Sequence, residues 1–288
     1  MMSTRCVLIL CIVTSLILNC INSEGISPPP NIILVVADDL GYADLGFKNG
    51  QQVSSPNIDE LILNGQFLKW HYSMSVCSPT RSTLMTGKYT LHTGINGVIP
   101  GQDAYGLPIN DTLLPQVLKL KANYTTHMIG KWHLGFYKTE YTPTFRGFDS
   151  FYGYYNGGED YYTHFAADPG TNNPQGYDFR FDNKSYCGMN CSKVLVNASN
   201  IYSTYLFTER AINIIDQHKK QESPLFLYLA YQNVHSPTEV PYQYQNMYIN
   251  TINNTLRQKF AGMVTCMDDS FANVTAKLNE KGYLNDTG

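Results

Sequence analysis

Charge is scarce in this sequence. Only 15% of its 288 residues are Asp, Glu, Lys or Arg, where roughly 25% is usual. With 20 Lys and Arg against 23 Asp and Glu the net charge is −3, so no basic field exists to hold nucleic acid or another bulk polyanion. Scarcity of charge does not mean disorder, because 43% of the chain is hydrophobic and 13% aromatic, enough to build a large core. The length allows one or two domains, and a single large α/β domain fits equally well. Long apolar runs are also missing, with one exception at residues 7–18, which follow a single positive charge at Arg5 and give way to Asn19, Asn22, Ser23 and Glu24. A spanning helix needs about 20 apolar residues. Residues 1–23 therefore read as a secretory signal peptide, and no membrane span is expected once it is cleaved.

Cysteine is sparse too. Of seven, Cys6, Cys11 and Cys20 lie in the leader, leaving Cys77, Cys187, Cys191 and Cys266. Cys187 and Cys191 stand four apart in a polar stretch, where an oxidising compartment favours a short local disulfide. Zinc is the alternative, but no third and fourth ligand lies nearby at finger spacing. Cys266, among apolar neighbours, reads as a buried thiol. The secretory reading gains support from eight Asn-x-Ser/Thr sequons, at Asn110, Asn123, Asn183, Asn190, Asn197, Asn253, Asn273 and Asn285, about twice the number chance gives.

The chain behind the leader alternates strand and helix signals. Residues 31–37 form a continuous, largely β-branched apolar run, apolar on both faces, as an inner strand of a parallel sheet requires. Residues 125–129 and 225–230 look like further inner strands. Ser55 as N-cap, Pro56 in the first turn and Gly65 as terminator mark one helix. Residues 202–218 and 256–281 mark two more, the last with Leu256, Phe260, Met263, Val264, Met267, Phe271, Val274 and Leu278 at steps of three and four. The expected fold is α/β, a mostly parallel central sheet sandwiched by helices. Residues 136–199, rich in Gly, Tyr and Asn, read as long loops and short strands over the end of the sheet.

In such sheets ligands bind beyond the carboxyl ends of the strands. Asp38-Asp39 directly follows the first apolar run. Two crowded carboxylates suit a hard divalent cation, Ca2+ or Mg2+, or else form a solvated loop. Lys131 and His133 follow residues 125–129 and, two apart in extended chain, would share a face; together they would hold an anion and move a proton, or stand as a surface lysine beside a satisfied histidine. His235, after residues 225–230, is similarly ambiguous. Cys77 precedes Ser78-Pro79, a helix start, so it would sit at the positive end of a helix with Arg81 one turn on, a place for an anionic substrate or nucleophile. Its bland alternative is a small buried cysteine.

The segment Cys77-Ser78-Pro79-Thr80-Arg81, followed by Ser82 and Thr86-Gly87, resembles the signature of the type I sulfatases, whose cysteine becomes formylglycine. Asp38-Asp39-Leu40-Gly41 and Gly130-Lys131-Trp132-His133-Leu134-Gly135 resemble two further motifs of that family. Arg146-Gly147-Phe148-Asp149, Gly158-Glu159-Asp160-Tyr161-Tyr162 and Asn233-Val234-His235 resemble most the arylsulfatase B (N-acetylgalactosamine-4-sulfatase) branch. The likeness extends over roughly residues 30–285 and implies the N-terminal catalytic domain of an alkaline-phosphatase-like fold. It implies that Cys77, converted by the formylglycine-generating enzyme, attacks the sulfur of a sulfated carbohydrate or aryl sulfate. Asp38 and Asp39, with the modified Cys77, would bind Ca2+ or Mg2+. Arg81 would orient the nucleophile, Lys131 clamp the sulfate, His235 serve the leaving oxygen and His133 act as base. Lysosomal or extracellular delivery would follow.

The sequence departs from that pattern in one respect. The family's second pair of metal ligands, Asp-Asn at a later strand end, and the lysine after it have no counterpart: Asp268-Asp269 falls inside the last helix and Asn285-Asp286 in the loop behind it. The expectation is a truncated sulfatase domain spanning residues 30–288, without the small C-terminal domain and with a weak cation site, or else a genuine short form. Two other readings compete: a catalytically inactive, secreted sulfated-glycan binder, and a phosphatase or phosphodiesterase of the same superfamily, against which Cys77 speaks because such enzymes place Ser or Thr there.

Overall fold

The structure is a computed structural model that describes residues 7–8, 29–50, 52–166, 176–184 and 192–284. The disulfide expected between Cys187 and Cys191, and the sequons at Asn190 and Asn285, lie outside the described residues. So does all of the expected leader, residues 1–23, except residues 7–8.

A run such as Leu225–Ala230 has no polar face to offer water, and it becomes the centre of the sheet. All six residues are buried. Leu225, Leu227 and Leu229 face one apolar cluster, and Phe226, Tyr228 and Ala230 face the opposite one, the period of two that a pleated strand imposes. The strands in chain order are β1 (Val7–Leu8), β2 (Ile32–Val36), β3 (Thr125–Lys131), β4 (Ser150–Tyr154), β5 (Arg180–Asn183), β6 (Ser192–Val194) and β7 (Leu225–Ala230). They lie side by side as β1-β2-β7-β3-β4-β5-β6. The pairs from β1 through β4 are parallel, whereas β5 and β6 are appended antiparallel. The expected mostly parallel α/β sheet is therefore present.

Helices cover both faces. In chain order they are α1 (Gly46–Asn49), α2 (Pro56–Asn64), α3 (Cys77–Thr86), α4 (Thr90–Thr93), α5 (Leu114–Ala122), α6 (Ser203–Gln217), α7 (Tyr242–Asn246) and α8 (Thr255–Glu280). Met85 of α3 and Leu118 of α5 pack on one side with Leu34, Met128 and Phe226. Phe207, Ala211 and Ile215 of α6, and Met267, Val274 and Leu278 of α8, pack on the other with Ile33, Ile129 and Leu227. Each fully buried Leu, Ile or Phe in these layers contributes about 1.5–3 kcal/mol relative to exposure.

Four details differ from the sequence reading. Residues 150–154, expected among the loops, form β4 inside the parallel layer, because Phe151 and Tyr154 are buried on opposite faces although Ser150 and Gly153 dilute the apolar pattern. The strand expected at residues 125–129 continues to Lys131. Gly130 permits this, since its φ is +94° and a Cβ there would lie 1.8 Å from the carbonyl oxygen of Ala230. Ser55 precedes α2 but does not cap it with its side chain; its hydroxyl donates to Asp59 at 2.8 Å. The free N–H groups of Asn57 and Ile58 instead donate to the Asp268 carboxylate of α8, at 3.2 and 2.8 Å, a favourable place for a negative charge. Leu256, read as part of the apolar stripe of α8, is exposed.

Candidate active site

The adjacency β2-β7-β3 brings three strand ends together, the location favoured for ligands in such sheets. Asp38 leaves β2, Lys131 closes β3 and His235 follows β7. Two backbone hydrogen bonds join the exits of β2 and β7: the Asp38 N–H donates to the Asn233 carbonyl at 2.7 Å, and the Val234 N–H to the Asp38 carbonyl at 2.6 Å. Cys77 opens α3 and is partly exposed, whereas Ser78, Arg81 and Ser82 behind it are buried. Arg81, one turn after Cys77, projects from the same side of the helix.

Asp38 is the electrostatic centre of this group. Its carboxylate accepts from Lys131 Nζ at 2.5 Å and faces Arg81 Nη2 at 3.4 Å. Burial would raise its pKa, but the two cations outweigh burial and hold it below the usual carboxylate value. Arg81 Nη1 also donates to the Lys131 carbonyl at 2.6 Å and to the Tyr228 hydroxyl at 3.2 Å. Asp38, Lys131 and Arg81 thus form one buried unit with two positive charges against one negative, an excess suited to an anion.

His133 completes the group from another direction. It stands in the left-handed region at φ 54°, so it leaves the line of β3, and the face it shares with Lys131 owes nothing to extended chain. Its Nε2 lies 3.0 Å from the carbonyl oxygen of Ile99. A carbonyl cannot donate, so Nε2 carries the proton and Nδ1 is the bare nitrogen. Nδ1 is buried without a hydrogen-bond partner. Burial, then the charges of Lys131 and Arg81, push the His133 pKa well below 6.5, so the ring is neutral and a proton acceptor. The Ile99 N–H donates to the Ser78 hydroxyl at 3.1 Å, which ties the start of α3 to the imidazole.

His235 is oriented by its own turn. Its Nδ1 lies 2.6 Å from the Ser236 carbonyl, and Nε2 lies 3.7 Å from Asp39 Oδ2. The Tyr161 hydroxyl lies 2.9 Å from the His235 carbonyl and 3.0 Å from that of Gln232. Gly157 and Gly158 back the two imidazoles, since an added Cβ would lie 2.7 Å from His133 Cε1 and 3.1 Å from His235 Cε1 respectively.

The structure therefore brings Asp38, Arg81, Lys131 and His133 together and places Asp39 beside His235. Tyr228, Ile99 and Gly157 escape the sequence reading, and Gly158 enters it only as the start of a family motif: a tyrosine inside a continuous apolar run and a backbone carbonyl carry no signal there. Of the other sequence-marked residues, Asn110, Asn123, Asn197, Asn253 and Asn273 are exposed, whereas Asn183 is half-buried in β5. Cys266 is buried, and burial pushes its thiol up to about 12. For a divalent cation the donor set is too small. Among the described residues no three His, Cys, Asp or Glu side chains cluster as a metal site, and the Asp38 oxygens already face Lys131 and Arg81. Calcium takes six to eight oxygens, which Asp38 and Asp39 do not supply alone.

Comparison with known proteins identifies the family. The sulfatase family model matches residues 30–288. Mouse arylsulfatase J is 40% identical over 261 residues, 90% of this chain and 41% of that protein. Mouse N-acetylgalactosamine-6-sulfatase is 30% identical over 279 residues, 92% of this chain and 50% of its own length. The crystal structure of Ps i-CgsB superposes with a TM-score of 0.72 at 31% identity, over 88% of this chain and 56% of that one; a second structure of it is a complex with k-i-k-neocarrahexaose. The chain spans about half the length of the curated relatives it matches.

Proposed function

The chain belongs to the sulfatase family, and from that premise we propose that it carries the hydrolytic centre of a sulfuric ester hydrolase acting on sulfated carbohydrate. The net reaction takes an ester and water to an alcohol and inorganic sulfate. The observation that carries this reading is the buried, unpartnered Nδ1 of a neutral His133, beside a unit with surplus positive charge.

In this reading Cys77 is converted to formylglycine by the formylglycine-generating enzyme, and the group then supplies the hydrated aldehyde that takes the sulfate and releases it. The chain's own residues do the rest. Lys131 and Arg81 bind the anionic ester and offset charge gathering on its oxygens. With Nδ1 donating to the Ser236 carbonyl, His235 serves the departing alcohol oxygen through Nε2, supplying a proton there when the ring is doubly protonated. His133 accepts a proton at Nδ1 while Ile99 fixes its tautomer. Tyr228 and the Lys131 carbonyl hold the Arg81 guanidinium in place for this. Asp38 and Asp39 would hold a Ca2+ or Mg2+ ion only as a partial site, because they supply too few of the oxygens it takes. The leader at residues 1–23 and the exposed sequons support a secretory route, with lysosomal or extracellular delivery and a local Cys187–Cys191 disulfide.

The test is peptide mass spectrometry across Cys77 after expression in cells with the converting enzyme. A loss of about 18 Da at that residue is expected. An unmodified thiol, in cells that convert a control sulfatase, overturns the catalytic reading and leaves a sulfated-glycan binder.

A further inference from the structure

Beside the hydrolytic centre the surface sinks into two adjoining cavities of about 280 and 220 Å³, which share Phe136 and Arg180 as a common wall. The larger is also lined by Gln102, Asn156, Tyr177 and Asp178. Two of its walls continue segments that touch His133. Asn156 precedes Gly157, which packs on the imidazole, and Gln102 lies three residues beyond Ile99, whose carbonyl accepts from Nε2. One wall of the cavity, Asn156, thus stands next in sequence to a residue that backs the proposed base.

Its common wall is a preorganised stack. The Arg180 guanidinium lies 5.2 Å from the Tyr155 ring centroid, and Tyr155 stacks on Phe136 with centroids 5.6 Å apart and planes at 25°. Asp178 fixes the stack from beneath: Oδ1 accepts from Arg180 Nε at 3.2 Å, and Oδ2 accepts from Tyr155 N, Asn156 N and Asn156 Nδ2 at 3.0, 2.8 and 2.8 Å. Among the described residues the side-chain hydrogen bond on Arg180 is made through Nε, which leaves its two Nη groups to meet a ligand. An aromatic face, amide side chains and a fixed guanidinium fork are the groups that recognise, in turn, the C–H face, the hydroxyls and the anionic substituent of a sugar.

We propose that this cavity is a saccharide subsite, in which Arg180 reads the carboxylate or second sulfate of the sugar linked to the unit whose ester is cleaved. The assignment rests on the sulfatase reading above and adds a specificity determinant to it. Substrates would be oligosaccharides with an anion on the neighbouring unit.

Calorimetric binding to the chain with Cys77 unconverted tests this with four probes. They are N-acetylgalactosamine 6-sulfate alone, and the same unit linked to neutral galactose, to glucuronate or to a sulfated galactose. The anionic disaccharides are expected to bind roughly ten-fold more tightly than the neutral one, and the two anionic arms tell whether carboxylate or sulfate is preferred. Arg180→Ala should abolish that gain and leave monosaccharide affinity unchanged, with Arg180→Lys in between. Lys131→Ala should weaken all four. Equal binding of neutral and anionic disaccharides, or a gain that survives Arg180→Ala, overturns the subsite and spares the sulfatase reading. Monosaccharide binding indifferent to Lys131→Ala overturns the sulfatase reading itself, and no binding by any probe overturns both.

Discussion

The ammonium of Lys131 lies 2.5 Å from Oδ2 of Asp38, with 0% and 5% of the two side chains exposed. The pair bridges the ends of β3 and β2 across β7, so it works on structure as well as on ligand. Removing one partner leaves a buried charge poorly compensated. Asp38→Asn, which leaves the Lys131 ammonium and the Arg81 guanidinium buried without their carboxylate, is therefore expected to destabilise the fold by about 3 kcal/mol, and Asp38→Asn with Lys131→Met should recover part of that loss, because one buried cation then remains instead of two. Urea unfolding of the parent and both variants decides it; a single variant as stable as the parent contradicts the argument.

Two histidines are kept neutral by burial. The pKa of His127 is lowered from 6.5 to about 4, and that of His133 is lowered well below 6.5. The unfolded chain binds their protons first, so stability must fall as pH drops from 6.5 towards 4. For His127 the loss approaches about 3 kcal/mol. His127→Asn should flatten part of that slope in urea midpoints taken at half-unit pH steps. An identical slope in the variant would sink the assignment.

Glu159 produces the opposite slope. It is fully buried beside His164, 3.2 Å from Nδ1, while His164 Nε2 donates to the Ala198 carbonyl at 3.1 Å. His164 Nδ1 must then accept, so Glu159 must be the protonated donor. Burial, then Asp178 and Asp160, raise its pKa well above 4.5. The unfolded chain ionises first, and stability falls as pH rises above about 4.3. Glu159→Gln keeps a donor and removes that slope, so it should be at least as stable as the parent at pH 7. Glu159→Ala, which leaves Nδ1 unpaired, should lose about 2 kcal/mol. Thermal unfolding against pH checks both.

Gly157→Ala probes the placement of His133 without touching it. The new methyl would lie 2.7 Å from Cε1, and the ring is held on its far side by Ile99. The displaced imidazole should cost roughly a hundred-fold in sulfate ester turnover, while the unfolding midpoint moves little. Full turnover, with unchanged imidazole nitrogen resonances, would show that the ring is not confined.

What could be read in advance follows from the range of each interaction. Residues 225–230 announce a buried strand because every side chain is apolar, and Asp38, Lys131 and His235 stand out because they are polar directly at such ends. Cys77 and Arg81 are legible from helix-start chemistry and spacing. By contrast, the partners that fix these groups are distant in sequence and silent in it. Tyr228 meets Arg81 across 147 positions, and Asp268, which sequence alone leaves as a charge inside α8, proves to hold the start of α2 across 210 positions. β4 was hidden by Ser150 and Gly153, whose small side chains lower the apolar count but suit a strand pressed against β3. Arg180 had no local context that marked it.

The change of strand direction after β4 separates two evolutionary liabilities. The groups proposed to grip the sulfate are rooted in α3 and the parallel strands, where each residue is wedged by several others and tolerates little. Arg180 belongs to β5, appended antiparallel at one side and flanked by the short, exposed β6. Under the proposed reading, substitutions at that margin would change which glycan is accepted and leave the sulfate-binding groups as they are. If the proposed subsite holds, glycan preference would be set at the border strands and sulfate capture in the parallel core, so the two could change independently.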